Sequence, residues 1–153
     1  MSSQVNAYSP RRGNSLVELV VVITMLGVIS SFAIPRFTRL ENNVRASEVT
    51  ALSVNLRSAA AAAHAQYLES GARLSSATLK GRTIQLKNGY PDAGTNGIRA
   101  ALADATGFTV NFTPTSVTYS KTDAPAPAQC TVTYRASSEN VAATISDLNT
   151  SGC

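Results

Sequence analysis

The chain has 153 residues, of which 44% are hydrophobic and 14% are charged, a composition typical of one globular domain. The formal net charge is +4, and no basic run with interleaved aromatic residues occurs, so nucleic-acid binding has little support. The apolar residues are unevenly distributed, because residues 16–34 form one hydrophobic run with a single charge, Glu18.

Residues 1–13 (MSSQVNAYSPRRG) are polar and end in two arginines and Gly13. They contain nothing that builds a hydrophobic core and are typical of a targeting leader, which lies outside the fold. If the leader is removed, 11 basic side chains (13 − 2) and 9 acidic ones remain, and the net charge falls to +2.

The hydrophobic run (LVELVVVITMLGVISSFAI) covers about 28 Å as a helix, close to the roughly 30 Å hydrocarbon core of a membrane. Its many β-branched residues favour a strand in water, but in lipid only a helix satisfies the backbone of a single segment. Gly27 and Pro35 are expected to weaken or kink this helix. We therefore predict that residues 14–36 form the half of a helix that lies in a membrane or in a filament core.

The pattern becomes amphipathic after this run. Apolar positions recur at steps of three and four, with one step of five: Phe37, Leu40, Val44, Val49, Leu52, Leu56, Ala59, Ala63 and Tyr67. This spacing predicts one helix from Asn14 to Ser70 with one buried stripe, ending at Gly71. Such a helix is about 85 Å long, which is too long for a compact domain of this size, so part of it must project into a membrane or into other subunits.

The middle of the chain has weaker signals. Arg82–Lys87 is predicted to be a short strand, and the following residues 88–91 (NGYP) to be a turn. Thr95 is expected to cap a short helix that carries Ile98 and Leu102 on one face.

Apolar and polar residues then alternate with a period of two, which predicts antiparallel strands with one buried face. The strands are expected around residues 108–112, 117–119, 132–134 and 141–145, with a proline-rich surface loop over residues 123–127. The predicted fold class is α+β: a long N-terminal helix packed on a small antiparallel sheet, with residues 37–153 forming the globular domain.

Cys130 and Cys153 are the two cysteines. They form a free pair if the chain stays in the cytosol, whereas an export segment favours a disulfide. The disulfide would close a loop of 24 residues and contribute about 3 kcal/mol on the chain-entropy model.

Glu18 is notable because a carboxylate near the end of a hydrophobic helix is costly and usually functional. No basic side chain lies between Asn14 and Ile34 to pair with it. Cleavage after Gly13 would create an α-amino group at Asn14. In a low dielectric, that group could pair with Glu18 of its own or a neighbouring chain and select one axial register.

Residues 12–23 (RGNSLVELVVVI) resemble the class III signal sequence of type IV pilins and pseudopilins. The resemblance implies a type IV pilin fold, cleavage between Gly13 and Asn14 by a membrane prepilin peptidase, and methylation of the new terminus at Asn14. It assigns a role in filament assembly to Glu18. Pro35 corresponds to the proline that is characteristic of the family's N-terminal helix, and Gly27 lies near the start of the segment that tends to lose its helical structure in the family's filaments.

The family resemblance also implies that the disulfide between Cys130 and Cys153 encloses a C-terminal region. Asn14 departs from the family, which usually has Phe or Met at that position. The implied partners are other copies of the chain, the prepilin peptidase and the inner-membrane assembly machinery. The implied location is the bacterial inner membrane for the precursor and a surface pilus for the mature chain.

A narrower resemblance, to pilins of mannose-sensitive haemagglutinin (MSHA) pili, lies in Pro35–Phe37, in residues 86–102 and in the closing Ser-Gly-Cys. It implies a major subunit used in attachment, with motility as a further role. A minor pilin or a type II secretion pseudopilin is the alternative, and a membrane-anchored binding protein that never polymerises is a remote one. We predict no enzymatic activity, no cofactor and no metal site, since neither a catalytic triad nor a nucleotide-binding motif occurs.

Several features have competing interpretations. Ser31–Ala33 resembles an ordinary secretory cleavage site, which would make the run a signal peptide. His64 is either a ligand or, as we favour, a helix surface or packing residue. Asp92 and Asp123 are either calcium ligands or, as we favour, solvated loop charges.

Two further features stay open. The side chains of Glu41, Arg45 and Glu48 are spaced to pair along one helix, but they are also placed to bridge subunits. Residues 111–113 match the N-glycosylation pattern, although they lie in a predicted strand.

Overall fold

The computed structural model describes residues 15–153, except for the side chains of residues 33–37. The chain divides into two units, with the boundary between Arg39 and Leu40. The predicted boundary lay between residues 36 and 37. Gly13 and Asn14, where cleavage and methylation are predicted, lie outside the described residues.

The first helix, α1, spans Leu16–Glu69 and has 54 residues, close to the predicted range of 14–70. Helical structure is continuous through Gly27 and Pro35, where weak points were expected. The helix ends because Gly71 adopts a positive φ of 74°, and Ala72 follows with a φ of 61°. Their N–H groups donate to the carbonyls of Leu68 and Tyr67, which closes the last turn as a glycine C-cap does.

The second half of α1 buries one apolar stripe. Its buried residues are Val49, Leu52, Leu56, Ala60 and Ala63. Val49, Leu52, Leu56 and Ala63 of the predicted stripe are therefore buried, and Ala59 and Tyr67 are partly buried. Ala60 was not predicted, and the beginning of the stripe is wrong, since Leu40 is 60% exposed and Val44 is 49% exposed. The five-residue step after Val44 rotates these two positions away from the buried face. The side chain of Phe37 lies outside the described residues.

The first sheet has the strand order β1-β2-β3, formed by Ser76–Leu79, Arg82–Lys87 and Tyr90–Pro91. Both connections are two-residue turns, Lys80-Gly81 and Asn88-Gly89, and all four residues have positive φ. This is the geometry in which a hairpin turn matches the strand twist. The strand β2 and the turn after it were predicted, whereas β1 and β3 were not.

The short helix α2 spans Ile98–Ala101, and its N-cap is Gly97. The predicted cap at Thr95 is wrong, because the backbone carbonyl of Asp92 accepts the Ile98 N–H at 2.9 Å and makes a side-chain cap unnecessary. A Cβ on Gly97 would lie 2.0 Å from that carbonyl oxygen, so the turn requires glycine. The predicted apolar positions Ile98 and Leu102 are both buried.

The second sheet is an antiparallel meander in the order β4-β5-β6-β7, formed by Phe108–Phe112, Ser116–Lys121, Thr131–Arg135 and Thr144–Asn149. The predicted strand over 141–145 begins later, at Thr144, and Val141 makes only an isolated bridge with Ser138. The single sheet that we predicted is therefore two sheets.

The core forms where the second half of α1 meets the second sheet and α2. Val117, Tyr119, Val132 and Tyr134 on β5 and β6 are fully buried there. The hydroxyl of Tyr134 donates to the Pro91 carbonyl at 2.7 Å and so connects the two sheets. Burial raises the pKa of this phenol, so it remains a donor at ordinary pH. The fold class is α+β.

Candidate assembly surface on the first helix

The N-terminal half of α1 exposes its apolar side chains. Over Leu16–Phe32, the large apolar residues have exposed fractions between 43% for Val21 and 78% for Leu16. The exposed residues are Leu16, Val17, Leu19, Val20, Val21, Val22, Ile23, Met25, Leu26, Val28, Ile29 and Phe32. A continuous apolar surface of this kind marks an interaction site rather than a water-facing helix. Within the described residues, no helix is both long enough and apolar enough to cross a membrane.

Glu18 lies in the first turn of this surface, and its side chain is exposed. Its backbone N–H donates to the Ser15 hydroxyl at 3.3 Å, so Ser15 acts as the N-cap that fixes the start of the helix. A carboxylate in the first turn is favoured by the positive end of the helix dipole. The predicted partner of Glu18, the amino group of Asn14, lies outside the described residues.

The hydroxyl side chains of this surface form hydrogen bonds with backbone carbonyls of the same helix. The hydroxyls of Thr24, Ser30 and Ser31 donate to the carbonyls of Val21, Leu26 and Val28 at 2.7 to 2.8 Å. These hydroxyls therefore need no water, and they can enter an apolar environment without leaving an unpaired donor.

Gly27, predicted to matter for assembly, leaves open space. A Cβ placed there would meet no described atom within 4 Å. Packing within the chain therefore gives no reason for a glycine at this position, although glycine lets another helix approach closely. Pro35 lies within α1, and its side chain is outside the described set.

A disulfide joins Cys130 to Cys153, with a Cα–Cα distance of 4.9 Å, and both residues are buried. This agrees with the predicted pairing. The enclosed segment is also held by backbone bonds, from the Ala126 N–H to the Gly152 carbonyl and from the Gly152 N–H to the Gln129 carbonyl. A Cβ on Gly152 would lie 2.6 Å from the Ala126 carbonyl oxygen, so this contact depends on glycine.

Lys121, at the end of β5, connects the helix to the loop that contains Asp123. Its Nζ lies 2.8 Å from Glu48 and 3.2 Å from Asp123, and it stands 5.2 Å above the Phe108 ring. The hydrogen bonds that Lys121 donates to Glu48 and to Asp123 raise the pKa of its ammonium group, although desolvation opposes them. Asp123 is a solvated loop charge, as we favoured, since its side chain is 60% exposed, but it also pairs with two cations, Lys121 and Arg45.

Arg45 is the second cation of this cluster. It pairs with Glu41 at 3.3 Å and Asp123 at 3.4 Å, and it donates to the Cys153 backbone oxygen at 3.4 Å. The expected pair with Glu41 along the helix is therefore present, whereas Glu48 turns to Lys121. Sequence analysis missed Lys121, because an alternating strand pattern gives no sign that an inward lysine will meet a helix carboxylate.

His64 packs against the first sheet. Its Nδ1 donates to the Gly89 carbonyl at 2.9 Å, and its ring stacks on Tyr90 with centroids 4.0 Å apart. This confirms that His64 is a packing residue. Among the described residues, no group of three His, Cys, Asp or Glu side chains is placed to hold a metal ion.

Comparison of the chain with protein-family models, with curated proteins and with solved structures found no match.

Proposed function

We propose that this chain is a structural subunit of a filament of the type IV pilin class and polymerises through the N-terminal half of α1. The observation that carries the proposal is the exposed apolar surface over Leu16–Phe32, which has one carboxylate, Glu18. Chains of one kind bury such a surface when their helices bundle. The apolar contacts hold the bundle, and the carboxylate favours one register.

The energetics explain why one carboxylate matters. Transfer of a large apolar side chain out of water contributes about 1.5–3 kcal/mol, but much less when the chain leaves a membrane that is already apolar. Apolar contacts also allow two helices to slide along each other, since one axial offset buries nearly as much apolar surface as the next. A charge pair between Glu18 and the amino group of Asn14, created by cleavage after Gly13, would penalise the wrong offsets.

In this proposal the unit of residues 40–153, which we call the head, lies outside the bundle. Its disulfide and its ion-paired loop hold the end of the chain against α1. In this proposal the precursor resides in the inner membrane, the mature chain forms a surface pilus, and the heads of a pilus of the MSHA kind serve attachment.

Mass spectrometry of the mature chain tests the processing step. We expect a start at Asn14, and a start at Ile34 would instead indicate an ordinary secretory signal peptide.

Replacement of Glu18 tests the assembly step. We expect Glu18→Gln to leave cleavage intact and to abolish filaments in electron micrographs of sheared cells, because it removes the charge and keeps the size. Glu18→Asp is the matched control, since it keeps the charge and should retain part of the assembly. Filaments of normal number from Glu18→Gln would contradict the role of the carboxylate.

A further inference from the structure

The side-chain amide of Gln66, near the end of α1, binds the backbone of β1, which is an edge strand of the first sheet. Its Nε2 donates to the Thr78 carbonyl at 2.9 Å, and its Oε1 accepts the Thr78 N–H at 3.1 Å. One side chain therefore satisfies both polar backbone groups of one strand residue. These are the two hydrogen bonds that a residue of a neighbouring antiparallel strand would make with Thr78.

The reversal of the chain after α1 brings the two residues together. Gly71 and Ala72, both with positive φ, end the helix and turn the chain back. The strand β1 begins four residues later at Ser76, and it lies beside the last turns of α1, within reach of the Gln66 side chain. The contact therefore follows from the same turn that ends the helix.

The alternation of an antiparallel ladder shows which way the backbone of β1 points. Ser76 lies opposite Gln85 of β2 in the register of the two strands. Gln85 forms its backbone bonds on the other side of β2, since its N–H donates to the Asn96 carbonyl and its carbonyl accepts the Asp92 N–H. Bonded and non-bonded pairs alternate along such strands, so the N–H and C=O groups of Ser76 and Thr78 point away from β2. They form the outer edge of the first sheet.

An outer edge of this kind is a template on which another chain can add a strand. The simplest partner is a second copy, because a twofold axis would set β1 of one copy against β1 of the other. The added strand would lie about 4.8 Å from β1. The amide of Gln66 already lies within hydrogen-bond distance of Thr78 on that side. The amide and a second strand therefore cannot bind Thr78 at the same time.

The chemistry of the amide suits it to this position. A glutamine side chain presents a donor and an acceptor next to each other, whereas an ionised glutamate has only acceptors and a lysine has only donors. A link between helix and strand needs only one hydrogen bond. The use of both backbone groups of Thr78 leaves its N–H no free proton for another strand.

We infer that Gln66 closes the β1 edge of the first sheet against strand pairing with a second copy of this chain. The contact is an autoinhibitory one, since it covers a surface on which two copies would otherwise pair. Both Gln66 and Thr78 lie in the head, so the inference goes beyond the proposed filament function and does not depend on it.

Two glutamines provide matched variants of the full-length chain in detergent micelles. Gln66→Leu removes the contact, whereas Gln85→Leu places the same apolar side chain at an exposed position of the middle strand. A photoreactive amino acid at the exposed Thr78 reports pairing of the edges. With Gln66→Leu, we expect covalent dimers to increase with protein concentration and to exceed those of the parent chain by about tenfold or more, because pairing no longer displaces two hydrogen bonds. Gln85→Leu should stay within about twofold of the parent chain.

Hydrogen exchange in dilute samples separates closure of the edge from a general loss of stability. The Thr78 N–H of the parent chain should exchange slowly, although it lies at a sheet edge. Gln66→Leu should speed its exchange by about tenfold or more and leave the amides of β5 unchanged.

Three results would overturn the inference. The first is a folded Gln66→Leu chain that gives no more dimers through Thr78 than the parent chain, since Gln66 would then only link the helix to the strand. The second is an equal gain of dimers with Gln85→Leu. The third needs no variant and decides the matter if Gln66→Leu does not fold: a Thr78 amide in the parent chain that exchanges as fast as that of Lys80 in the exposed turn.

Discussion

In residues 16–32 of the first helix all the large apolar side chains are exposed, whereas in residues 49–63 Val49, Leu52 and Leu56 lie in a closed core. The backbone conformation is the same in both regions, so helix formation alone does not distinguish them. The difference lies in what covers the apolar side chains. The apolar side chains of the second region are covered by sheet and helix residues of the same unit, whereas those of the first region are exposed.

In the proposed filament, one helix would serve both folding and assembly. A core residue such as Leu56 contributes to stability in every copy, whether or not the copy has assembled. An exposed residue such as Leu26 contributes little until another chain covers it. The two regions should therefore respond differently to the same substitution.

The largest expected effect comes from comparing the same substitution at a buried and at an exposed apolar position of α1. Leu56→Ala should lower the free energy of unfolding by about 2–5 kcal/mol, because it removes a fully buried side chain and leaves a cavity. Leu26→Ala, the same change at an exposed position, should alter it by less than about 0.5 kcal/mol and should instead reduce assembly. Denaturant unfolding followed by circular dichroism measures the first quantity, and filament yield measures the second. Equal destabilisation by both substitutions would remove the distinction between the regions.

The next effect in size concerns the disulfide, which belongs to the head. Replacing Cys130 and Cys153 together by serine should lower the free energy of unfolding by about 3 kcal/mol, because the unfolded chain is no longer closed into a loop of 24 residues, both cysteines included. The parent chain under reducing conditions is the control and should show a similar loss. Cleavage after Gly13 should be unaffected, since the leader lies in the other region. An unchanged melting temperature would show that hydrogen bonds alone hold the C-terminal segment.

Periodicity is what made the two regions predictable. The steps of three and four from Val49 to Ala63 located the buried face of the helix, and the alternation in Phe108–Phe112 and Thr131–Arg135 located two strands. β1 was missed because its four residues, Ser76–Leu79, have little strand propensity and are held by pairing with β2. The helix cap at Gly97 was missed because its partner is a backbone carbonyl, which no sequence motif identifies.

The contacts of the candidate site were predictable only where they are local. The pair between Arg45 and Glu41 follows from their spacing of four residues along the helix. The pair between Lys121 and Glu48 joins residues that are 73 positions apart (121 − 48), so it required the packing of the sheet on the helix. Exposure of the assembly surface is likewise a property of the folded chain, although its apolar composition was evident from the sequence.

A smaller effect, confined to the head, should appear with pH. Hydrogen bonding from Lys121 holds the pKa of Asp123 below its ordinary value, so the folded state binds fewer protons at this site than the unfolded state. The parent chain should therefore be more stable than Asp123→Asn above the ordinary pKa of aspartate, near 4. This advantage should disappear as the pH falls through the lowered pKa of the folded state.

Urea unfolding of both chains between pH 2 and 7 measures the difference. A repetition in about 1 M salt, where screening acts over roughly 3 Å, is the control and should reduce it. A difference that grows toward pH 2 would contradict the assigned pairing.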